Sequence, residues 1–127
     1  MGKKSHTQRT LAYFKQDGFK CDMVERWISN PKHPGGGFRK DCFGFMDILA
    51  IGGGGIVAVQ SCGQDFKEHD RKITENSAIA LNALEWLKCG GEIVLIGWRK
   101  VKVKRGGKAL RWSPRIKKYE ISDFILS

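Results

Sequence analysis

The sequence is short of acidic residues, of closely spaced cysteines and of long apolar runs. Only 13 Asp and Glu stand against 23 Lys and Arg in 127 residues, for a formal charge of +10. So basic a chain favours a polyanionic partner, nucleic acid first, a property shared by ribosomal and membrane-surface proteins. No apolar stretch approaches the ~20 residues of a membrane span, so no membrane partner is expected. The opening MGKKSHTQRT carries basic residues with no apolar segment behind them, which argues against a secretory signal and for a cytoplasmic protein. MGKKSH fits an N-terminal acylation pattern only loosely, and no second anchor follows. Cys21, Cys42, Cys62 and Cys89 include no CxxC pair, which argues against structural zinc and predicts reduced, mostly buried thiols. The length suits a single domain.

What is present begins with glycine. FGFMDILAI, Phe43 to Ile51, and IVAVQSC, Ile56 to Cys62, are apolar runs joined by Gly52, Gly53, Gly54 and Gly55. Two such runs across a glycine turn predict a β-hairpin, since glycine accepts the positive φ of a tight reversal. Asp47 interrupts the first run, and Gln60 and Cys62 end the second. A buried carboxylate needs a cation or a hydrogen-bonding partner, so Asp47 reads either as a metal ligand or as a structural, hydrogen-bonded acid.

Upstream, residues 6 to 17 predict an amphipathic helix, with Ser5 or Thr7 as N-cap and Gly18 as its stop. FKCDMVERWIS, Phe19 to Ser29, alternates as one strand and NPKHPGGGFRK reads as a loop. Downstream, one helix begins between Asp65 and Thr74 and closes at Gly90 and Gly91. EIVLIGW, Glu92 to Trp98, suits a central strand. A basic hairpin around Gly106 and Gly107 follows, at about 99 to 121. The expected fold is α/β or α+β: a central mixed β-sheet flanked by helices.

A strand bearing Asp, a tight turn, a strand ending in two polar residues one apart, then a helix and another strand together resemble the PD-(D/E)XK nuclease superfamily. The likeness is to its Holliday-junction-resolvase-like and small phage-borne members and spans roughly Glu25 to Lys100. It implies a restriction-endonuclease-like core and a metal-dependent DNA endonuclease that hydrolyses phosphodiester bonds, using Mg²⁺ or Mn²⁺ on duplex or branched DNA. A homodimer is a further implication.

In that family an Asp and a Glu bind the metal, and a Lys two residues past the Glu assists the attacking water. Asp47 matches the first; Gln60 stands at the Glu position and Cys62 at the Lys position. Gln lends a carbonyl oxygen without charge, and Cys carries no positive charge in either protonation state. The pattern then requires a substitute cation, Lys72 first and Lys67 next, from a segment that also holds Arg71. A further carboxylate comes from Glu25 or Asp41, and the Ser61 carbonyl lies between the two motif positions. His33 and His69 are candidates for proton transfer or phosphate contact, or are solvated.

Nucleic-acid contacts are expected from Arg39, Lys40, Lys67 and Arg71 and from Arg99, Lys100, Lys102, Lys104 and Arg105. Lys100, Lys102 and Lys104 share one face of an alternating strand, a stripe fit to neutralise phosphates without reading sequence. Trp98 and Trp112 border it, as base-stacking platforms or as core. A second reading is a catalytically inactive nuclease-fold protein that binds nucleic acid, on the strength of Gln60 and Cys62. An RNA- or ribosome-associated basic protein on an unrelated fold is a third.

Overall fold

The computed structural model describes residues 4–124, so the first three residues of the opening acylation pattern lie outside the described residues. The protein is α+β, with a five-stranded mixed sheet in the order β1 (Lys20–Met23), β4 (Ile48–Gly52), β5 (Gly55–Cys62), β6 (Glu92–Lys102), β7 (Leu110–Lys118) and a separate two-stranded sheet of β2 (Arg26–Ser29) and β3 (Gly37–Lys40). Helix α1 (His6–Gln16) starts at a capping box in which Ser5 Oγ accepts from the Gln8 N–H and the Gln8 side chain accepts from the Ser5 N–H. Gly18, at φ +92°, follows its end.

The expected strand over Phe19 to Ser29 is two strands in two sheets. β1 (Lys20–Met23) runs antiparallel to β4 (Ile48–Gly52), and β2 (Arg26–Ser29) pairs with β3 (Gly37–Lys40). Between them the N–H groups of Val24 and Glu25 both donate to the Asp47 carbonyl, at 2.9 and 3.3 Å. Two successive amides turned to one acceptor cannot continue a flat ladder, so the chain leaves the sheet here. The last four residues of the expected loop are strand β3.

The glycine-linked hairpin forms between β4 and β5 (Gly55–Cys62), with Gly52 paired to Gly55. Gly53 and Gly54 at φ +61° and +80° make the tight reversal. The first strand is shorter than expected, and Asp47 immediately precedes it. Its N–H nonetheless donates to the Val59 carbonyl at 2.9 Å.

From β5 the chain crosses through α2 (Phe66–Glu75) and α3 (Ser77–Lys88) to β6 (Glu92–Lys102), which is parallel to β5. The expected single helix is broken at Asn76, which is extended (ψ 116°) and whose side chain caps α3 by accepting from the Ile79 N–H. β6 runs past Trp98 and pairs antiparallel with β7 (Leu110–Lys118), so the basic hairpin is an extension of the main sheet.

Each face of the sheet has its own core. Ala58, Cys62, Ile93 and Leu95 pack with Phe66, Ile73 and Ala83 of α2 and α3. On the other face Val57, Val59, Ile96 and Trp98 pack with Phe14 of α1. Cys62 is buried, Cys21 and Cys42 are half-buried and Cys89 is exposed, so burial of the thiols is less general than expected. Among the described residues no helix is long and apolar enough to cross a membrane.

Candidate metal centre

Asp47 and Gln60 face each other at the end of the hairpin, 5% and 3% exposed. The Gln60 amide donates to Asp47 Oδ2 at 2.7 Å, and the Ser61 N–H donates to the same oxygen at 2.9 Å. Two more acids converge on them. Glu25 is brought in by the backbone hydrogen bonds that break the first strand, and Asp41 by the tight turn before Phe45. Carboxylate oxygens of Glu25, Asp41 and Asp47 all lie within 4.8 Å of one another.

Such a cluster repels itself. Burial first, then the adjoining Asp41 carboxyl as hydrogen-bond partner and charge, and then Glu25, raise the Asp47 carboxyl to about 8; the Ser61 N–H opposes them. Two cations flank the group. Lys72 Nζ lies 3.7 Å from Asp41 Oδ2, and an Arg39 Nη lies 3.3 Å from Glu25 Oε1. Gln60 Oε1 is buried without a hydrogen-bond partner. Three carboxylates this close are a donor set of the kind that holds a hard cation, and the unsatisfied amide oxygen is a further unused acceptor on Gln60.

Asp47, Gln60, Glu25 and Lys72 therefore meet in one place. Ser61 contributes its N–H there, while its hydroxyl lies on the opposite face, 2.8 Å from Thr10 Oγ1. Lys67 is exposed on α2, and Arg71 pairs with Glu75 at 3.6 Å. Lys40 and Arg26 line a cleft of about 640 Å³ that includes Asp41. His33 packs against Phe38 in the loop between β2 and β3. His69 belongs to a second group, Cys62, Asp65 and His69, whose ligand atoms also lie within 4.8 Å. There Asp65 is already 3.2 Å from the His69 ring, and burial, then Asp65 and Asp47, push the Cys62 thiol up to about 12.

The basic stripe differs from expectation. Side chains opposite one another on paired strands share a face, so Gln60, Leu95 and Lys117 lie together on the α2 side. Lys100, five residues beyond Leu95, falls on the other side, and its partner Trp112 is covered by Arg9 of α1, 3.8 Å from the ring centre. Lys100 and Lys102 thus face away from the acidic cluster, whereas Arg99 is on its side. Lys104 and Arg105 lie in the turn between β6 and β7 and share no strand face with them. Trp98 is core, its indole N–H donating to Thr10 Oγ1 at 2.9 Å, whereas Trp112 is 38% exposed.

Neither Arg26 nor Arg115 is among the nucleic-acid contacts expected from the sequence. Arg26 opens a short strand four residues before the loop that starts at Asn30, and Arg115 follows Pro114, positions with no local signature of a site. No family model matches the chain, and the searches of curated proteins and of solved structures return no match.

Proposed function

We propose that the protein is a metal-dependent DNA endonuclease of PD-(D/E)XK type that hydrolyses phosphodiester bonds in duplex or branched DNA. The observation that carries this reading is the convergence of Glu25, Asp41, Asp47 and Gln60, with Lys72 beside them, at the end of the glycine-linked hairpin. Glu25, Asp41, Asp47 and the Gln60 carbonyl would hold Mg²⁺ or Mn²⁺. Bound there, the ion supplies Lewis-acid polarisation of a phosphoryl oxygen and a water of lowered pKa. Lys72 supplies the positive charge that Cys62 lacks, next to where negative charge develops. Arg26 and Lys40 hold the DNA backbone in the adjoining cleft, and the β6–β7 ribbon adds phosphate contacts independent of sequence. A homodimer would present two such sites to two strands, and sedimentation of the purified protein tests it.

Incubation with linear, branched and single-stranded DNA in Mg²⁺, Mn²⁺ or EDTA, beside Asp47→Ala, tests the proposal. Expected is cleavage that needs the metal and falls at least 100-fold in the variant, an order of magnitude set by roughly 10- to 100-fold losses at outer-sphere metal contacts. Binding without cleavage on every substrate favours the second reading, an inactive nuclease-fold protein that binds nucleic acid. The specific observation on that side is Cys62, a buried thiol where the motif has an ammonium group.

A further inference from the structure

We infer that the cleft between the start of α2 and the β6–β7 pair is a phosphate subsite, which seats a backbone phosphate of the DNA strand next to the one at the acidic cluster. Its adjacency to a scissile phosphate rests on the nuclease reading; the binding of phosphate does not. The cleft has about 290 Å³ and is lined by Gly63, Gln64, Phe66, Gly97, Arg99 and Arg115, together with Trp98.

Charge is the first argument. Two arginines line the cleft and no carboxylate does, and among the described residues neither arginine takes part in an ion pair. The Arg115 guanidinium lies 4.2 Å from the centre of the Phe66 ring. Stacking fixes its plane and leaves its N–H edges to a ligand, and a planar fork of donors matches two phosphate oxygens at once.

Backbone supplies the second argument. The cleft opens at the carboxyl end of β5, where its parallel pairing with β6 stops at Gly97, the end of the parallel pair at which ligands of open α/β sheets sit. It also adjoins the first turn of α2. Asp65, at the cap position of that helix, makes no capping hydrogen bond: its carboxylate accepts from the Gly63 N–H at 3.3 Å and approaches His69. The first-turn N–H groups of α2 are thus left without a side-chain acceptor, and an anion satisfies them.

Position is the third. Cys62, Gly97 and Arg115 stand side by side across β5, β6 and β7. The Arg115 backbone is thus two interstrand spacings, roughly 10 Å, from Cys62, which follows Gln60 by two residues on the same face. A strand passing the acidic cluster reaches the cleft without leaving this side of the sheet.

The experiment uses the full chain in EDTA, so that no cleavage intervenes. Inorganic phosphate, titrated against chloride at equal ionic strength, is expected to shift the NMR signals of the Arg99 and Arg115 Nε–H groups and the Gly63 and Gly97 amides saturably. Arg115→Ala is expected to abolish that response, weaken binding of a short DNA duplex roughly tenfold and lower the salt slope by about one. Arg115→Lys, which keeps the charge but loses the fork, is expected to keep the slope and recover only part of the affinity. Thermal melting establishes that the variants fold; if Arg115→Ala does not, exposed Arg99→Ala takes its place.

Absence of a saturable phosphate response, or unchanged affinity and slope in a folded variant, overturns the subsite. Cleavage by the parent chain with a neutral Arg115→Ala overturns the subsite alone. The expected binding losses in a protein that never cleaves DNA support the subsite and remove the nuclease reading.

Discussion

Asp47 is the residue in which the cost of the site is concentrated. Its carboxyl is raised to about 8, so the folded protein holds a proton that the unfolded chain releases near pH 4. The stability this group contributes is complete below its unfolded value and is lost as pH rises through its folded value. Between the two the metal-free protein should lose about 1.4 kcal/mol per pH unit from this one group. Thermal melts in EDTA from pH 5 to pH 8 should show that decline, and Asp47→Asn, which cannot ionise, should flatten it. Equal pH dependence in both proteins would mean that the proton is not held there. If the three acids hold a metal as proposed, saturating Mg²⁺ should offset the decline, because the cation would take the proton's place among them. Gln60 fits the same economy of charge. A carboxylate at position 60 would add a fourth acid and a second buried one to the repulsion, whereas an amide offers Asp47 a donor and still presents a neutral oxygen.

At the scale of elements, the crossover from β5 to β6 depends on close packing where α2 begins. A Cβ at Gly97 would lie 2.6 Å from Phe66 Cδ2, 3.3 Å from the Gly63 carbonyl and 3.4 Å from Cys62 Sγ. Phe66 is buried and has little room to retreat, so Gly97→Ala should act as overpacking. Denaturant unfolding should report a loss of about 1–3 kcal/mol. An unchanged midpoint would show that α2 can shift to admit the methyl group. Asn76 illustrates a break with a local cause: its side chain offers the Ile79 N–H an acceptor and thereby starts a new helix instead of continuing the old one. The break after Met23 has no such local cause. It follows from the Asp47 carbonyl, which takes two amides from a segment more than twenty residues earlier in the chain.

Over the whole molecule, charge is divided by the sheet. The acidic cluster, Lys72, Arg99 and Arg115 belong to the α2 side, and Lys100, Lys102 and Trp112 to the α1 side with Arg9. Beyond Gly97, β6 pairs only with β7, and the two form a basic ribbon that outruns the rest of the sheet. On the proposed DNA-binding reading, a ribbon with cations on both faces would meet a duplex across a groove rather than along one flat wall. Replacing Lys100, Lys102 and Lys104 together by alanine should weaken duplex binding and lower the salt slope by about two to three. Their distance from the acidic cluster should leave single-turnover cleavage at saturating protein unaltered. An unchanged slope would remove the ribbon from the DNA interface.

Several features were legible in the residues alone because their causes are local. Glycines that permit a reversal place the β4–β5 hairpin, Ser5, one of two candidate caps, starts α1, and a short apolar run ahead of Arg99 marks β6. The mixed sheet with helices follows from the order of these elements, and Asp47 with Gln60 could be singled out because a polar side chain within an apolar run needs a partner. Tertiary structure alone decided the partners. Glu25 joins Asp47 through an amide whose acceptor, the Asp47 carbonyl, lies more than twenty residues on; Asp41 joins it through the turn of residues 41–46 that leads into Asp47, and Arg115 reaches the same side through strand pairing. The separation of Lys100 from the acidic cluster is likewise a matter of register, since one residue along a strand reverses the face a side chain occupies. Alternation and capping act over a few residues; convergence of charge depends on hydrogen bonds and strand order spanning the whole fold.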